Sequence, residues 1–118
     1  MPNEIQRLQT GGRMSKVVIA NGVVYLAGQV SDTEYAPIEQ QTNETLAKID
    51  KLLALAGIDK TRLLTAMVWL SDARHIDDFN KVWDAWVPVG EAPARACVQS
   101  RLAHDGYDVE IAVTALGH

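Results

Sequence analysis

The stretch Leu63-Leu64-Thr65-Ala66-Met67-Val68-Trp69-Leu70 decides how the chain folds. Successive side chains of a strand point to opposite faces. Met67 and Trp69 alternate here with Ala66, Val68 and Leu70, so both faces are apolar. Such a strand sits centrally in a sheet and needs cover on both sides. Helices can supply one side. Water or another subunit is left for the other, and the apolar residues argue for an oligomer.

The segments around it fit that frame. Val17 to Ile19 and Val23 to Leu26 are short strands joined by Asn21-Gly22, a pair suited to a two-residue hairpin turn. Gly28-Gln29 follows the second strand. Pro37 can open a helix. Ile38, Leu46, Ile49, Leu52, Leu53 and Ala56 then recur at helical spacing up to a stop at Gly57. Beyond the central strand, Asp72 is a candidate N-cap. Ile76, Phe79, Trp83 and Trp86 form one helical face, read as core, before Pro88 and Gly90 end that helix. Ala94 to Leu102 and Val109 to Leu116 complete the order β-β-α-β-α-β-β, separated by a polar turn holding Asp105-Gly106. This is an α+β fold with one sheet and two helices on one of its faces.

A chain of 118 residues with 47% hydrophobic and 22% charged residues suits one domain, 1–118. No apolar run approaches the roughly 18 residues of a membrane span, and the start, Met1 to Arg7, lacks a leader's apolar stretch. The lone Cys97 has no internal partner, which favours the cytosol. A net charge of −4 makes nucleic acid a poor partner. His75, His104 and His118 are scattered and make no zinc-site spacing with Cys97, so no metal is expected.

The residues with chemical potential lie near the C-terminus. In Ala92-Pro93-Ala94-Arg95-Ala96-Cys97-Val98, alternation puts Arg95 and Cys97 on one face. The guanidinium fork of Arg95 matches a carboxylate through two parallel hydrogen bonds. The plainer alternative is a surface ion pair. Glu110 interrupts the apolar strand at Val109 to Leu116. In a cleft it can hold a water for attack. If Asp105-Gly106 were a hairpin turn, it would instead face Arg101. Cys97 is a small hydrophobe or a reactive thiol. Asn80, among the apolar positions of the second helix, must find hydrogen-bond partners, in a neighbouring loop or in a ligand.

Pro93-Ala94-Arg95-Ala96-Cys97-Val98 followed by Val109-Glu110-Ile111 resembles the end motif of the RidA/YjgF (reactive intermediate deaminase) family. Gly28-Gln29, Ala56-Gly57-Ile58, Ser71-Asp72 after the central strand, and Asn80 with Trp83 agree, so the resemblance spans nearly the whole chain. It implies a chorismate-mutase-like fold, a homotrimer with clefts between subunits, and no metal or organic cofactor. The implied activity is hydrolysis of imino or enamine acids to keto acids and ammonia. Carried over position by position, Arg95 would clamp the substrate carboxylate and Glu110 would orient the attacking water. Cys97 and Asn80 would line the cleft, and the backbone at Gly28 would approach the ligand. Two departures reshape that cleft: Met14 stands where the family often has a Tyr, and the loop after Gln29 is shorter. Both keep open a trimer that binds small carboxylates without turning them over. RNA cleavage, also attached to the family, fits the acidic charge poorly.

Overall fold

The computed structural model describes residues 4–118, so Met1, Pro2 and Asn3 of the segment read for a leader lie outside the described residues. The elements are β1 (Ile5–Thr10), β2 (Ser15–Ala20), β3 (Val23–Leu26), α1 (Ile38–Leu55), β4 (Leu63–Leu70), α2 (Ile76–Trp86), β5 (Ala94–Gln99) and β6 (Val109–Leu116). The strands form one six-stranded sheet in the order β1-β2-β3-β6-β4-β5. Thus β4 is interior, as its apolar pattern requires.

Three local outcomes differ from the sequence reading. A sixth strand, β1, pairs antiparallel with β2 at the sheet edge. Its Gln, Arg and Thr residues hide it, since an edge strand exposed over most of its length has no reason to be apolar. The last two strands are not a hairpin. β5 runs parallel to β4, whereas β6 lies antiparallel between β3 and β4. Arg101 therefore lies beyond the end of β5 and does not face Glu110; the residue across from Glu110 is Trp69. β5 also stops at Gln99 rather than running to Leu102.

Local chemistry explains the connections. Asn21 and Gly22 adopt φ of 51° and 78°, the pattern of a two-residue turn that matches strand twist. Gly57, at φ 82°, donates its N–H to the Ala54 carbonyl, and Ile58 donates to that of Leu53, which closes the end of α1. Asp72 accepts from the Arg74 N–H and so caps a short 3-10 turn, Ala73–His75, that leads into α2. Hydrogen bonds from Arg74 hold the Asp72 carboxyl down to about 2, so the cap stays ionised at neutral pH. The parallel β4–β5 pair needs a crossover, and α2 supplies it.

Alternation then sorts the molecule. Val17, Val24, Val68 and Ile111 point beneath the helices, where they meet Leu46, Ile49, Leu53 and Phe79 in the core. Each such buried side chain contributes about 1.5–3 kcal/mol. Tyr25, Met67, Trp69, Ala112 and Thr114 point to the other face by register. No element of the described chain covers that face, and Met67 and Trp69 are only half-buried. Both faces of β4 were expected to be buried; within one chain, only one is.

One buried polar side chain ties the site-bearing end together. Gln41 of α1 is fully buried. Its amide donates to the carbonyls of Ala36 (2.9 Å) and Gly106 (3.1 Å), and its oxygen accepts from the Asp108 N–H (2.8 Å). It fixes the loop that enters β6 two residues before Glu110. Buried groups left without partners are costly. Gln41→Ala should therefore lower stability by about 2–4 kcal/mol. Urea unfolding checks this, and a loss under about 1 kcal/mol would show that Gln41 does not pin the loop.

Candidate functional site

The parallel register pairs Arg95 with Ala66 and Cys97 with Val68. Ala66 and Val68 point beneath the helices, so Arg95 and Cys97 share the helix-side face of β5, beside α2. Arg95 Nη1 donates to Asn80 Oδ1 at 2.9 Å. Its guanidinium carbon lies 5.2 Å from the centroid of the Trp83 ring and 5.6 Å from that of Phe79. Both rings are buried. Phe79 and Asn80 lie four and three residues before Trp83, so each neighbours it on the surface of α2. A planar cation over aromatic faces is held in orientation as well as attracted.

No carboxylate among the described residues pairs with Arg95. The surface ion pair considered from sequence is therefore not the arrangement found. One guanidinium nitrogen is engaged by a neutral amide, and the rest of the fork makes no hydrogen bond among the described residues. Asn80 satisfies its own need for a partner by holding Arg95. Trp83 and Phe79, read from sequence as core alone, also serve as the platform. Their spacing around Asn80 carried that information, but only the crossover geometry shows which cation lies above them.

Cys97 is half-buried. Burial pushes its thiol up, against a smaller opposing pull from the Arg95 cation. At neutral pH it is a protonated, compact apolar wall rather than a thiolate.

Glu110 belongs to the other face. Its cross-strand neighbour is Trp69, and its carboxylate makes no hydrogen bond or ion pair among the described residues. Gly28 lies against it. A Cβ on Gly28 would fall 2.2 Å from Glu110 Oε2, 3.1 Å from Cδ and 3.3 Å from Cγ. The adjoining Gln29 exchanges both backbone hydrogen bonds with Ile111, at 2.8 and 3.0 Å, which locks Gly28 in that position. The Gly28 N–H has no backbone partner among the described residues. Carboxylate and free donor thus lie side by side.

The sheet itself separates the two halves. Arg95, Cys97 and Asn80 lie on the helix side, and Glu110 and Gly28 on the open side, so one chain cannot bring all five together. The open side next to β5 holds a shallow depression of about 460 Å³ floored by Tyr25, Met67, Ala96, Ala112 and Thr114. Met14 is 53% exposed in the β1–β2 connection. The short loop after Gln29 is tied down by Glu44, whose Oε1 accepts from the N–H groups of Asp32 and Thr33.

A six-stranded mixed sheet with two helices on one face defines an α+β class, and comparison with known proteins gives the family. The family profile described as Endoribonuclease L-PSP matches residues 4–117. A RutC family protein of Haemophilus ducreyi is 42% identical over 94% of this chain and 95% of its own length. The RutC family protein YoaB of Escherichia coli is 40% identical over 94% of this chain and 96% of its own. A crystal structure of a YjgF family member from Neisseria meningitidis superposes with a TM-score of 0.96 at 41% identity, covering 100% of this chain and 98% of that one. The chain belongs to the RidA/YjgF family.

The Gly28–Glu110 contact makes a direct prediction. Gly28→Ala should leave the fold intact, with a stability change of about 1 kcal/mol or less, because a flexible carboxylate can turn away. A crystal structure of the variant should show the Glu110 carboxylate displaced. An unmoved carboxylate would mean that the contact does not set its position.

Proposed function

We propose that the protein hydrolyses imino and enamine acids to keto acids and ammonia, at a site composed by two copies of the chain. The reading rests above all on Arg95: an oriented guanidinium with no acidic partner among the described residues is a carboxylate receptor in waiting. Glu110, unpaired among the described residues, beside a Gly28 N–H that has no backbone partner among them, supplies the second half. Since the halves lie on opposite faces of one sheet, a second copy must bring its Glu110 to the first copy's Arg95. The uncovered apolar face, with Tyr25 46% and Val98 42% exposed, favours such association. The expected assembly is a closed homotrimer, as the family resemblance implies.

The chemistry needs little machinery. A protonated imine is already an electrophile. With the carboxylate held by Arg95, a water adds to the imine carbon while Glu110 takes its proton, and the C=N π electrons go to nitrogen. Glu110 then passes that proton to the nitrogen. The hydroxyl gives up its proton to Glu110 as the C–N bond breaks, and the departing ammonia takes that proton from Glu110, leaving keto acid, ammonium and the free carboxylate. Positioning and local charge carry most of the acceleration. Because Cys97 stays a thiol, it lines the cleft and forms no covalent adduct.

Ammonia release from a freshly generated imino acid tests the activity. Binding of keto acids without ammonia release would establish the non-catalytic carboxylate binder instead. Arg95→Ala should cost roughly 2–5 kcal/mol of transition-state stabilisation, about a thirtyfold to several-thousandfold fall in kcat/KM. Arg95→Lys should rescue poorly, because an ammonium lacks the fork. The composite site has its own signature. When inactive Arg95→Ala and Glu110→Gln chains are co-refolded, about a quarter of the clefts in random trimers regain both groups. Activity should return on mixing. No recovery from trimers shown to contain both chains would place the reaction within one chain or elsewhere.

A further inference from the structure

The three tryptophans divide by what their rings carry. The Trp83 ring holds the Arg95 guanidinium. The Trp86 ring has Lys60 Nζ 5.1 Å from its centroid, and its indole N–H donates to Asp50 Oδ2 at 3.0 Å. Trp69 has neither. Its indole makes no hydrogen bond, ring contact or cation contact among the described residues. The side chain is only half-buried, so part of the ring stands open to a ligand.

Strand register fixes where that ring stands. Trp69 pairs with Val98 of β5 on one side and with Glu110 of β6 on the other. Residues paired directly across antiparallel strands carry their Cβ atoms roughly 4.5–5.5 Å apart, so an indole and a carboxylate lie within reach of one ligand. A ring face is electron-rich, and a carboxylate is negative. Side by side they attract the same kind of group, a cation. The described residues supply none: no Lys, Arg or His pairs with Glu110 or lies over Trp69.

We infer that Trp69 is the cation-facing wall of the proposed site, and that its ring lies against the protonated C=N of the substrate. This deepens the deaminase reading and rests on it for the identity of the cation. The copy that presents Glu110 to Arg95 presents Trp69 with it, because the two residues form one register pair. Arg95 then meets the negative end of the imino acid, and Trp69 with Glu110 meets the positive end. The keto acid that leaves has no positive end, so Trp69 favours substrate over product. The positive charge disappears as water adds. The ring therefore acts on binding of the imine, and its loss should raise KM with kcat little changed.

The test compares two ligands of one shape and different charge. Oxamate has the outline of pyruvate, and its amidinium counterpart has the outline of the pyruvate iminium. Calorimetry gives both affinities for wild type, Trp69→Leu and Trp69→Phe, each checked for unchanged assembly by ultracentrifugation. Wild type should favour the amidinium. Trp69→Leu should reduce that preference about two- to thirtyfold, the span of cation–π contacts, with oxamate binding unchanged. Trp69→Phe, which keeps a weaker ring, should recover part of it. If Trp69→Leu fails to assemble, fluorinated tryptophans placed at position 69 keep the shape while withdrawing charge from the ring face, and the preference should fall with each added fluorine. A loss shared equally by both ligands would make Trp69 a packing residue and overturn the proposal. So would a preference that survives the substitutions and the fluorines, and ammonia release that continues alongside it would leave hydrolysis standing without the wall. If wild type releases no ammonia from imino acids yet loses its amidinium preference in Trp69→Leu, the wall stands and the hydrolysis reading falls.

Discussion

The alternation of side chains across β4, β5 and β6 is the constraint on which everything else depends. It sends Val68, Val109 and Ile111 under the helices and leaves Met67, Trp69 and Glu110 on the open face. It also puts Arg95 and Glu110 on opposite sides of a sheet no thicker than a backbone. Glu110 cannot change sides without a register slip that would turn the buried residues of β6 outward, and Arg95 is held on the helix side by its hydrogen bond to Asn80. The proposed need for a second copy follows from the same alternation that builds the core.

Much of the fold was legible because strong patterns are local. The doubly apolar run at 63–70, the Asn21-Gly22 turn and the helical spacings at 38–56 and 76–86 each report structure over a few residues. What was not legible is pairing. β1 is polar since nothing covers it, and the parallel placement of β5 depends on where α2 carries the chain. A turn-like Asp105-Gly106 invited a hairpin that the strand order excludes. The dipeptide sits in a longer loop, where the Tyr35 N–H donates to the Gly106 carbonyl and Gln41 holds the same oxygen.

The candidate site shows the same division. Arg95 and Cys97 on one face followed from strand periodicity alone, and the structure keeps them there. Asn80 was read as a polar residue in search of a partner. Its partner is the guanidinium itself, fifteen positions along the chain, a contact that spacing cannot reveal. Glu110 and Gly28 were linked by resemblance only as separate cleft positions. Their direct contact emerges from the bridge between Gln29 and Ile111.

That contact reaches beyond the chemistry of one site. A hydrogen is all that position 28 carries where the Glu110 carboxylate rests, since an added Cβ would fall 2.2 Å from Oε2. Any larger group at 28 would turn the acid elsewhere. The absence of a side chain at one position thus serves as the template for the rotamer of a charged one far along the chain, and the two behave as a single chemical unit.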